Sequence, residues 1–189
     1  MFNKKILDQI IIEADKNLTQ KTDLILIGGA AVVVKYLSPR ATIDVDTYAT
    51  ISRELEVAWE KAEQKVGFQV PLSTSTVAEG PHGMEDRFVQ YRELSLKYLN
   101  ILVPDPSDIV LMKIPRCFGK DRDDIKHLIH HNKISNKNLL NRFLTEMNHI
   151  TGDRDTLISD YLLVIEENYG AKIADKHESS IGHKKRGKG

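Results

Sequence analysis

Residues 24–48 read LILIGGAAVVVKYLSPRATIDVDTY, and this segment carries the clearest structural pattern in the chain. Its apolar run at 24–27 stops at Gly28 and Gly29, which is typical of a strand that is buried on both faces and ends in a tight turn. Residues 30–37 favour a buried helix, because a second strand here would have no turn partner. We therefore predict a strand–turn–helix unit in this part of the chain.

The segment continues with residues 41–48, whose alternation of apolar and polar side chains predicts another strand. In such a strand Asp44 and Asp46 share one face, opposite Ile43 and Val45, and their carboxylates lie about 5–7 Å apart. Their repulsion is unfavourable unless a cation lies between them, and carboxylate oxygens suit Mg²⁺ or Mn²⁺. A solvated sheet face without metal is the alternative, and the two residues on their own leave it open.

The glycine turn can also serve a ligand. Gly28 and Gly29 follow a predicted strand and open a predicted helix, so backbone N–H groups there can approach phosphate oxygens closely. The separation from Gly29 to Asp44 allows one helix and a return strand, which would bring the acids beside the turn. Glycines in this position also serve a tight turn alone. No Lys-Ser or Lys-Thr follows them, so the turn is not a Walker-type loop.

The composition bounds the class of protein. Of the 189 residues 41% are hydrophobic and 29% charged, so the chain can bury a core and is not disordered as a whole. The 27 basic and 27 acidic residues cancel, which argues against nucleic-acid binding over the whole surface. The one cysteine, Cys117, excludes a disulfide scaffold and a cysteine-rich zinc module. Charges interrupt the N-terminal apolar run and no later stretch is long enough to cross a bilayer, so we expect a cytoplasmic protein without a membrane partner.

The rest of the chain alternates between helical and extended patterns. Periodicity predicts helices near 3–19, 52–66, 120–131, 136–147 and 154–168, and strands near 75–77, 87–91 and 98–103. Asp105 and Pro106 form a strong helix start, and Pro115 should stop or kink that helix. No apolar period is visible from residue 171 onward, so we expect a flexible basic tail over 171–189. These elements predict an α/β (α+β) fold with a small mixed sheet and C-terminal helices.

A second group of charges lies on the predicted helix 120–131. Asp121 and Asp124 fall on its apolar stripe, where carboxylates are costly unless they are paired or lie at a polar cleft. Three basic residues are available as counter-charges: Lys113, Lys120 and Arg122. Acids in the first turn of a helix are also favoured by the helix dipole, and that interpretation stays open.

Four motifs, taken in order, carry a family resemblance: LIGGAA at 26–31, RATIDVD at 40–46, DPSDIVLMK at 105–113 and KDRDDI at 120–125. Together they resemble the DNA polymerase β-like nucleotidyltransferase superfamily. The closest branch looks like the small bacterial AbiEii-type proteins, often toxins of toxin–antitoxin pairs, and their uncharacterised relatives. The resemblance implies a nucleotidyltransferase-like core flanked by helices over 1–132, a helical portion over 133–170, and then the tail.

The resemblance also implies an activity and the residues that carry it. Gly28 and Gly29 match the glycine turn that holds the phosphates of the nucleotide, and Asp44 and Asp46 match the catalytic pair that binds Mg²⁺ or Mn²⁺. The implied reaction moves a nucleoside monophosphate from an NTP to an acceptor hydroxyl on RNA or protein and releases pyrophosphate. For a toxin, an antitoxin would be a further partner.

Residues outside the glycine turn and the Asp pair complete the implied site. Lys113 matches a helix lysine that contacts phosphate in the toxin branch. Asp121 and Asp124 match the acids of the last motif, where an acid acts on the acceptor or holds the site together. Arg40 and Lys120 are the remaining nucleotide-binding candidates, and a surface ion pair is the alternative for Arg40.

The chain departs from the superfamily pattern in two places. Ala30 stands where the family usually has a serine, so it offers no hydroxyl to a phosphate. The third carboxylate of the superfamily has no clear match, because the predicted strand 87–91 carries only Asp86 and Glu93 at its edges. These departures motivate the alternative function, a catalytically reduced module that binds nucleotide, RNA or a partner protein.

Overall fold

The computed structural model of the protein describes residues 1–39, 41–75 and 80–186, with residues 183–186 described by their backbone alone. Its backbone contacts divide the chain into two compact units, Met1–Ala78 with Glu85–Asp105, and Glu79–Met84 with Pro106–Gly189. The predicted boundaries at residues 132 and 170 follow from the resemblance and stay predictions.

The first unit contains a five-stranded mixed sheet and three α-helices in its described residues. Its elements are α1 (Lys4–Lys16), β1 (Thr22–Ile27), α2 (Gly28–Val34), β2 (Val45–Thr47), α3 (Arg53–Val66), β3 (Leu72–Thr74), β4 (Val89–Gln90) and β5 (Leu99–Val103). The strand order is β3-β2-β1-β5-β4. The pairs β1–β5 and β2–β3 are parallel, whereas β1–β2 and β4–β5 are antiparallel. The mixed sheet with flanking helices confirms the predicted α+β class.

The sheet has one buried face and one partly open face. On β5, Leu99, Ile101 and Val103 are buried and alternate with partly exposed residues such as Asn100. Helix α2 contacts β1 and β2, and α1 contacts α2 and α3, so the helices and the apolar strand residues form one core. Partly exposed Asp46 alternates with buried neighbours in the same way, which places it on the open face.

A buried carboxylate fixes the end of α1 to the start of β5. The side chain of Asp15 accepts hydrogen bonds from the backbone N–H groups of Lys97, Tyr98 and Leu99, at 2.9, 2.7 and 2.7 Å. Burial on its own would raise the pKa of this carboxyl, but the three backbone donors outweigh it and hold the pKa below its usual value. Asp15 therefore satisfies the backbone donors of Leu99 and of the two residues that lead into β5.

The second unit is helical in its described residues. It contains α4 (Pro106–Lys113), a 3₁₀ helix (Ile114–Arg116), α5 (Lys120–His131), α6 (Asn136–Glu146), α7 (Arg154–Tyr169) and α8 (Ala171–Arg186). A further 3₁₀ helix, Met84–Arg87, begins with the last residue of the segment Glu79–Met84 of the second unit and continues into the first unit. None of the described helices is long and apolar enough to span a membrane.

Three buried rings join α6, α7 and α8. Phe143 stacks on Tyr161 with ring centroids 4.0 Å apart, and Tyr161 stacks on His177 at 5.9 Å. The hydroxyl of Tyr161 lies 2.9 Å from Nδ1 of His177. In a neutral imidazole this nitrogen can accept a hydrogen bond from the hydroxyl. Burial disfavours the charged form of each side chain. It therefore lowers the pKa of His177 and raises the pKa of Tyr161.

This contact makes the stability of the helical unit depend on pH. The unfolded chain takes up a proton at His177 near its ordinary pKa of about 6.5, whereas the folded chain does so only at lower pH. We therefore expect unfolding free energy to fall below about pH 6.5, by up to about 1.4 kcal/mol per pH unit from this group. Urea denaturation between pH 7.5 and 5 measures the slope. His177→Gln should reduce it and the exposed His130→Gln should not; equal slopes in all three proteins would contradict the assignment.

The strand predicted over residues 41–48 is shorter than expected. Only Val45–Thr47 forms β2, while Thr42 makes an isolated bridge to Phe2. The predicted alternation fails there, because Ile43 is exposed and Thr42 is buried. Strand β2 begins at Val45, so Asp44 precedes the strand.

Strand β3 is formed by Leu72–Thr74, directly before the strand predicted at 75–77. Residues 76–79 are outside the described residues, so most of the predicted strand is too. None of the three residues of β3 is buried, so the strand has no core position that an apolar sequence pattern could reveal.

The flexible tail predicted over residues 171–189 is wrong as far as residue 186, because α8 occupies Ala171–Arg186. Its buried positions are Ala174, His177 and Ile181. These have helical spacing, but an alanine and a histidine give a weak apolar pattern. Residues 187–189 lie outside the described residues.

Candidate active site

The glycine turn and Asp46 meet at the junction of β1, α2 and β2. The antiparallel register of β1 and β2 pairs Ile27 with Asp46, which brings the carboxylate of Asp46 beside Gly28. A Cβ atom on Gly28 would lie 3.2 Å from Oδ2 of Asp46. Gly28 also has a φ of +59°, in the left-handed region. Both its conformation and its close approach to Asp46 therefore favour glycine.

We expect Gly28→Ala to lower the free energy of unfolding by about 2 kcal/mol, because it adds a tight contact to the cost of a left-handed alanine. Gly67→Ala is the matched control. Gly67 has a φ of +72°, and a Cβ atom on it would meet no other atom within 4 Å, so only the conformational cost of about 1 kcal/mol applies. Urea denaturation of both variants measures the difference. Equal losses would show that the contact with Asp46 does not constrain this position.

The other oxygen of Asp46 is held by the neighbouring strand. Oγ of Ser73 on β3 donates a hydrogen bond of 3.1 Å to Oδ1 of Asp46, and the two residues are paired in the parallel register. Asp44 is partly exposed, and its backbone oxygen accepts a hydrogen bond of 3.3 Å from Oγ1 of Thr42. The strand residue opposite Asp46 is therefore a hydroxyl donor rather than a third carboxylate.

Neither acid considered for the third carboxylate supplies one in the described part of the chain. Glu93 forms an ion pair of 3.2 Å with Lys4 and accepts a hydrogen bond from Tyr91. It follows β4, which two strands separate from β2, a distance of about 14 Å. Asp86 is exposed on the 3₁₀ helix. No group of three or more His, Cys, Asp or Glu side chains among the described residues is placed to hold a metal ion.

Glu85, an acid that the sequence patterns did not single out, lies near the end of β2. The hydroxyl of Tyr48, two residues after Asp46, donates a hydrogen bond to the carboxylate of Glu85. The bond to Glu85, together with burial, raises the pKa of Tyr48 to about 12. Phe88 packs edge-on against Tyr48, with centroids 5.8 Å apart. The polar alternation through Tyr48 indicated its face, but nothing in the sequence indicated its pairing with Glu85.

The second unit brings together Lys113, Asp121 and Asp124. The ammonium group of Lys113 forms an ion pair with Asp121 and lies 2.9 Å from Oδ2 of Asp124. Lys113 and Asp124 are buried, whereas the Asp121 side chain is 23% exposed and also lies 3.5 Å from Nε of Arg116. One buried cation thus compensates two carboxylates, as a carboxylate on the apolar stripe of a helix requires.

The two other basic residues considered for this cluster lie elsewhere. Arg122 forms an ion pair with Glu167 on α7, so it does not neutralise the cluster. Lys120 is exposed at the start of α5. Arg40 lies outside the described residues, so its place as a nucleotide-binding candidate stays a prediction.

The third motif also contributes a buried ion pair that the sequence patterns missed. Asp108 on α4 is fully buried and pairs with Arg142 of α6, which also lies 3.0 Å from Glu146. This pair fixes α4, the helix that carries Lys113, to α6. Asp108 is therefore a positioning residue within this unit.

Comparison with known protein families gives a match over most of the chain. No curated protein and no solved structure matches the chain significantly. The model of a family described as "Nucleotidyltransferase of unknown function (DUF6036)" matches residues 5–166, a range that includes the glycine turn, the Asp pair and the Lys113 cluster. The chain therefore belongs to this nucleotidyltransferase family.

Proposed function

We propose that this protein is a metal-dependent nucleotidyltransferase that moves a nucleoside monophosphate from an NTP to an acceptor hydroxyl on RNA or protein. The observation that carries the proposal is the carboxylate of Asp46 beside Gly28, at the turn between β1 and α2. Negative charge and an open backbone at one place suit a cation and a triphosphate together.

The donor set fits Mg²⁺ or Mn²⁺. Mg²⁺ is commonly held in proteins by one or two carboxylates, with substrate phosphates and water as its other ligands. Asp44 and Asp46 would hold it here. When bound, the metal neutralises charge on the phosphates and activates the attacking oxygen. Gly28 and Gly29 would direct backbone N–H groups to the phosphates of the donor.

The members of the Lys113 cluster (Lys113, Asp121 and Asp124) differ in burial, which suggests separate roles for them. Lys113 and Asp124 are buried and paired, so they position the cluster. Asp121 is the partly exposed member, and we propose that it meets the acceptor or the donor phosphates. Lys120, exposed one residue earlier, would bind nucleotide phosphate.

A second candidate function rests on the residue opposite Asp46. Ser73 occupies the strand position beside the carboxylate, and no third acidic ligand is present among the residues that the structure describes. This arrangement favours a catalytically reduced module that binds nucleotide, RNA or a partner protein. Such a module would bind nucleotide without transferring it.

The assay follows the two phosphates of the donor separately. Each NTP, labelled on either the α- or the γ-phosphate, is incubated with the protein, Mg²⁺ or Mn²⁺, and total RNA or candidate proteins. Transfer of a monophosphate predicts that the acceptor takes up the α-label but not the γ-label, and that EDTA prevents it. Metal-dependent nucleotide binding without a labelled acceptor would favour the reduced module. The absence of both would reject the proposal.

A toxin role, as in the AbiEii-type branch, is a finer proposal within the same function. It predicts that expression of the chain in the cytoplasm of a bacterium arrests growth and that Asp46→Asn relieves the arrest. A small neighbouring gene that restores growth would identify the antitoxin. Equal growth arrest by both proteins, at equal expression, would separate toxicity from nucleotide transfer.

A further inference from the structure

Phe118 is an aromatic residue that the fold leaves in solvent. Its exposure is 81%, and among the large apolar residues described only Met1, at 80%, is comparable. It lies between the 3₁₀ helix and α5, flanked by buried Cys117 and by Gly119. An exposed aromatic side chain gains nothing for the core, so its position calls for another explanation.

The backbone around Phe118 is fixed by its own hydrogen bonds. The N–H of Phe118 donates to the carbonyl of Arg116 at 2.7 Å, and its carbonyl accepts from the N–H of Asp121 at 3.1 Å. The N–H of Arg122 donates to the carbonyl of Gly119 at 3.2 Å. The ring is therefore presented on an ordered turn, which limits the entropy lost when a flat ligand stacks on it.

The neighbours of the ring carry positive charge. Arg116, with 64% of its side chain exposed, and Lys120, also exposed, flank it on either side in the chain. The same backbone segment leads directly into Asp121, the partly exposed member of the Lys113 cluster. An exposed ring with an exposed cation two residues before it and two residues after it in the chain suits a planar base that is joined to phosphate.

We propose that Phe118 is a nucleobase-stacking residue, with Arg116 and Lys120 contacting the adjoining phosphates. The inference rests on the proposed function, which supplies two sources of such a base: the donor NTP and an RNA acceptor. Phe118 carries no polar side-chain atom, so stacking accepts any base and base identity must be read elsewhere. A protein surface is the competing occupant, but the two flanking cations favour a ligand with phosphates.

The test uses full-length protein and a new fluorescent probe at the site. Trp59, the one native tryptophan, is buried and donates to the carbonyl of Val70. Phe118→Trp therefore adds an exposed indole whose fluorescence a stacked base should quench. The probes are each NTP with Mg²⁺, a single-stranded RNA of about 12 nucleotides (a typical site size for single-strand binding), and an abasic strand of the same length. Quenching by NTPs identifies the donor as the source, quenching by RNA identifies the acceptor, and the abasic strand should not quench.

Affinity measurements separate stacking from general apolar contact. Phe118→Ala and Phe118→Leu should both weaken binding of the quenching ligand by about 5- to 150-fold, as expected for one lost stacking contact. Leu163→Ala, another exposed apolar position in this unit, should not change it. Equal melting temperatures by circular dichroism check the fold of each variant.

Three outcomes would overturn the stacking proposal. They are a lack of quenching by all base-containing probes, wild-type affinity in Phe118→Leu, and equal quenching by the abasic strand. The second would indicate general apolar contact with the ligand instead of stacking. The readout is binding, so stacking can be confirmed even if the protein transfers no nucleotide. If the protein does transfer nucleotide but both Phe118 variants bind with unchanged affinity, the stacking proposal is rejected and the proposed function stands.

Discussion

Replacing Asp46 by asparagine should reduce nucleotide transfer at least about 100-fold without a measurable change in stability. The substitution removes one negative charge from the carboxylate pair, and a metal supplies several kcal/mol of charge stabilisation in such reactions. Each 1.4 kcal/mol lost from the transition state slows the reaction about tenfold. Initial rates with a labelled NTP and saturating acceptor measure the effect.

The structure explains why the fold should tolerate this change. Oδ1 of asparagine can still accept the 3.1 Å hydrogen bond from Ser73, and the amide has nearly the volume of the carboxylate beside Gly28. Asp23→Asn is the matched control, since Asp23 is exposed on β1 and accepts a hydrogen bond of 2.8 Å from Asn100. It should keep wild-type activity. Retained activity in Asp46→Asn, or an equal loss in Asp23→Asn, would contradict the role of Asp46.

The parts of the fold that could be predicted have local causes. Ser52 caps α3 and Gly67 ends it in a left-handed conformation, so both ends of that helix are encoded by single residues. Helix α4 begins at Pro106, as the Asp-Pro start predicts. The predicted strands 87–91 and 98–103 contain β4 and β5, which pair in antiparallel orientation. Each of these features depends on residues close together in the chain.

The errors have a common physical origin in contacts distant along the chain. Strand β3 is three residues long and partly exposed, so its place depends on pairing with β2 rather than on its own pattern. Helix α8 is stabilised on one face by the stacking of His177 on Tyr161. A single-sequence pattern counts that histidine as polar, so it could not reveal the buried face.

The candidate site divides in the same way. The spacing between Gly29 and Asp44 indicated that the acids return beside the turn, and the register of β1 and β2 brings Asp46 there. The apolar stripe of α5 indicated that Asp124 needs a buried partner but left several choices. Lys113 is that partner because α4 and α5 pack together, which is a tertiary contact. The functional roles of all these residues stay predictions.

Replacing Lys113 by methionine should lower the free energy of unfolding by about 3–5 kcal/mol, the largest stability loss we expect from a single substitution here. Methionine approximates the length of the lysine stem, so little packing volume is lost. The buried carboxylate of Asp124 would lose its 2.9 Å ion pair with Lys113, and Asp121 would lose the same cation and keep Arg116 at 3.5 Å. Urea denaturation followed by far-ultraviolet circular dichroism measures the loss.

Two further variants test whether burial of a carboxylate without Lys113 causes the loss of stability in Lys113→Met. Arg122→Met removes a cation from the more exposed pair with Glu167, so it should cost no more than about 1 kcal/mol. Lys113→Met combined with Asp124→Leu removes both buried charges and should recover most of the stability lost in the single variant, because hydrophobic groups can replace a buried ion pair at little cost. If the double variant is as unstable as Lys113→Met, lost packing rather than an uncompensated carboxylate dominates. If Lys113→Met is as stable as Arg122→Met, the cluster does not hold the helices together, and the pairing of its charges would have to be explained by ligand binding alone.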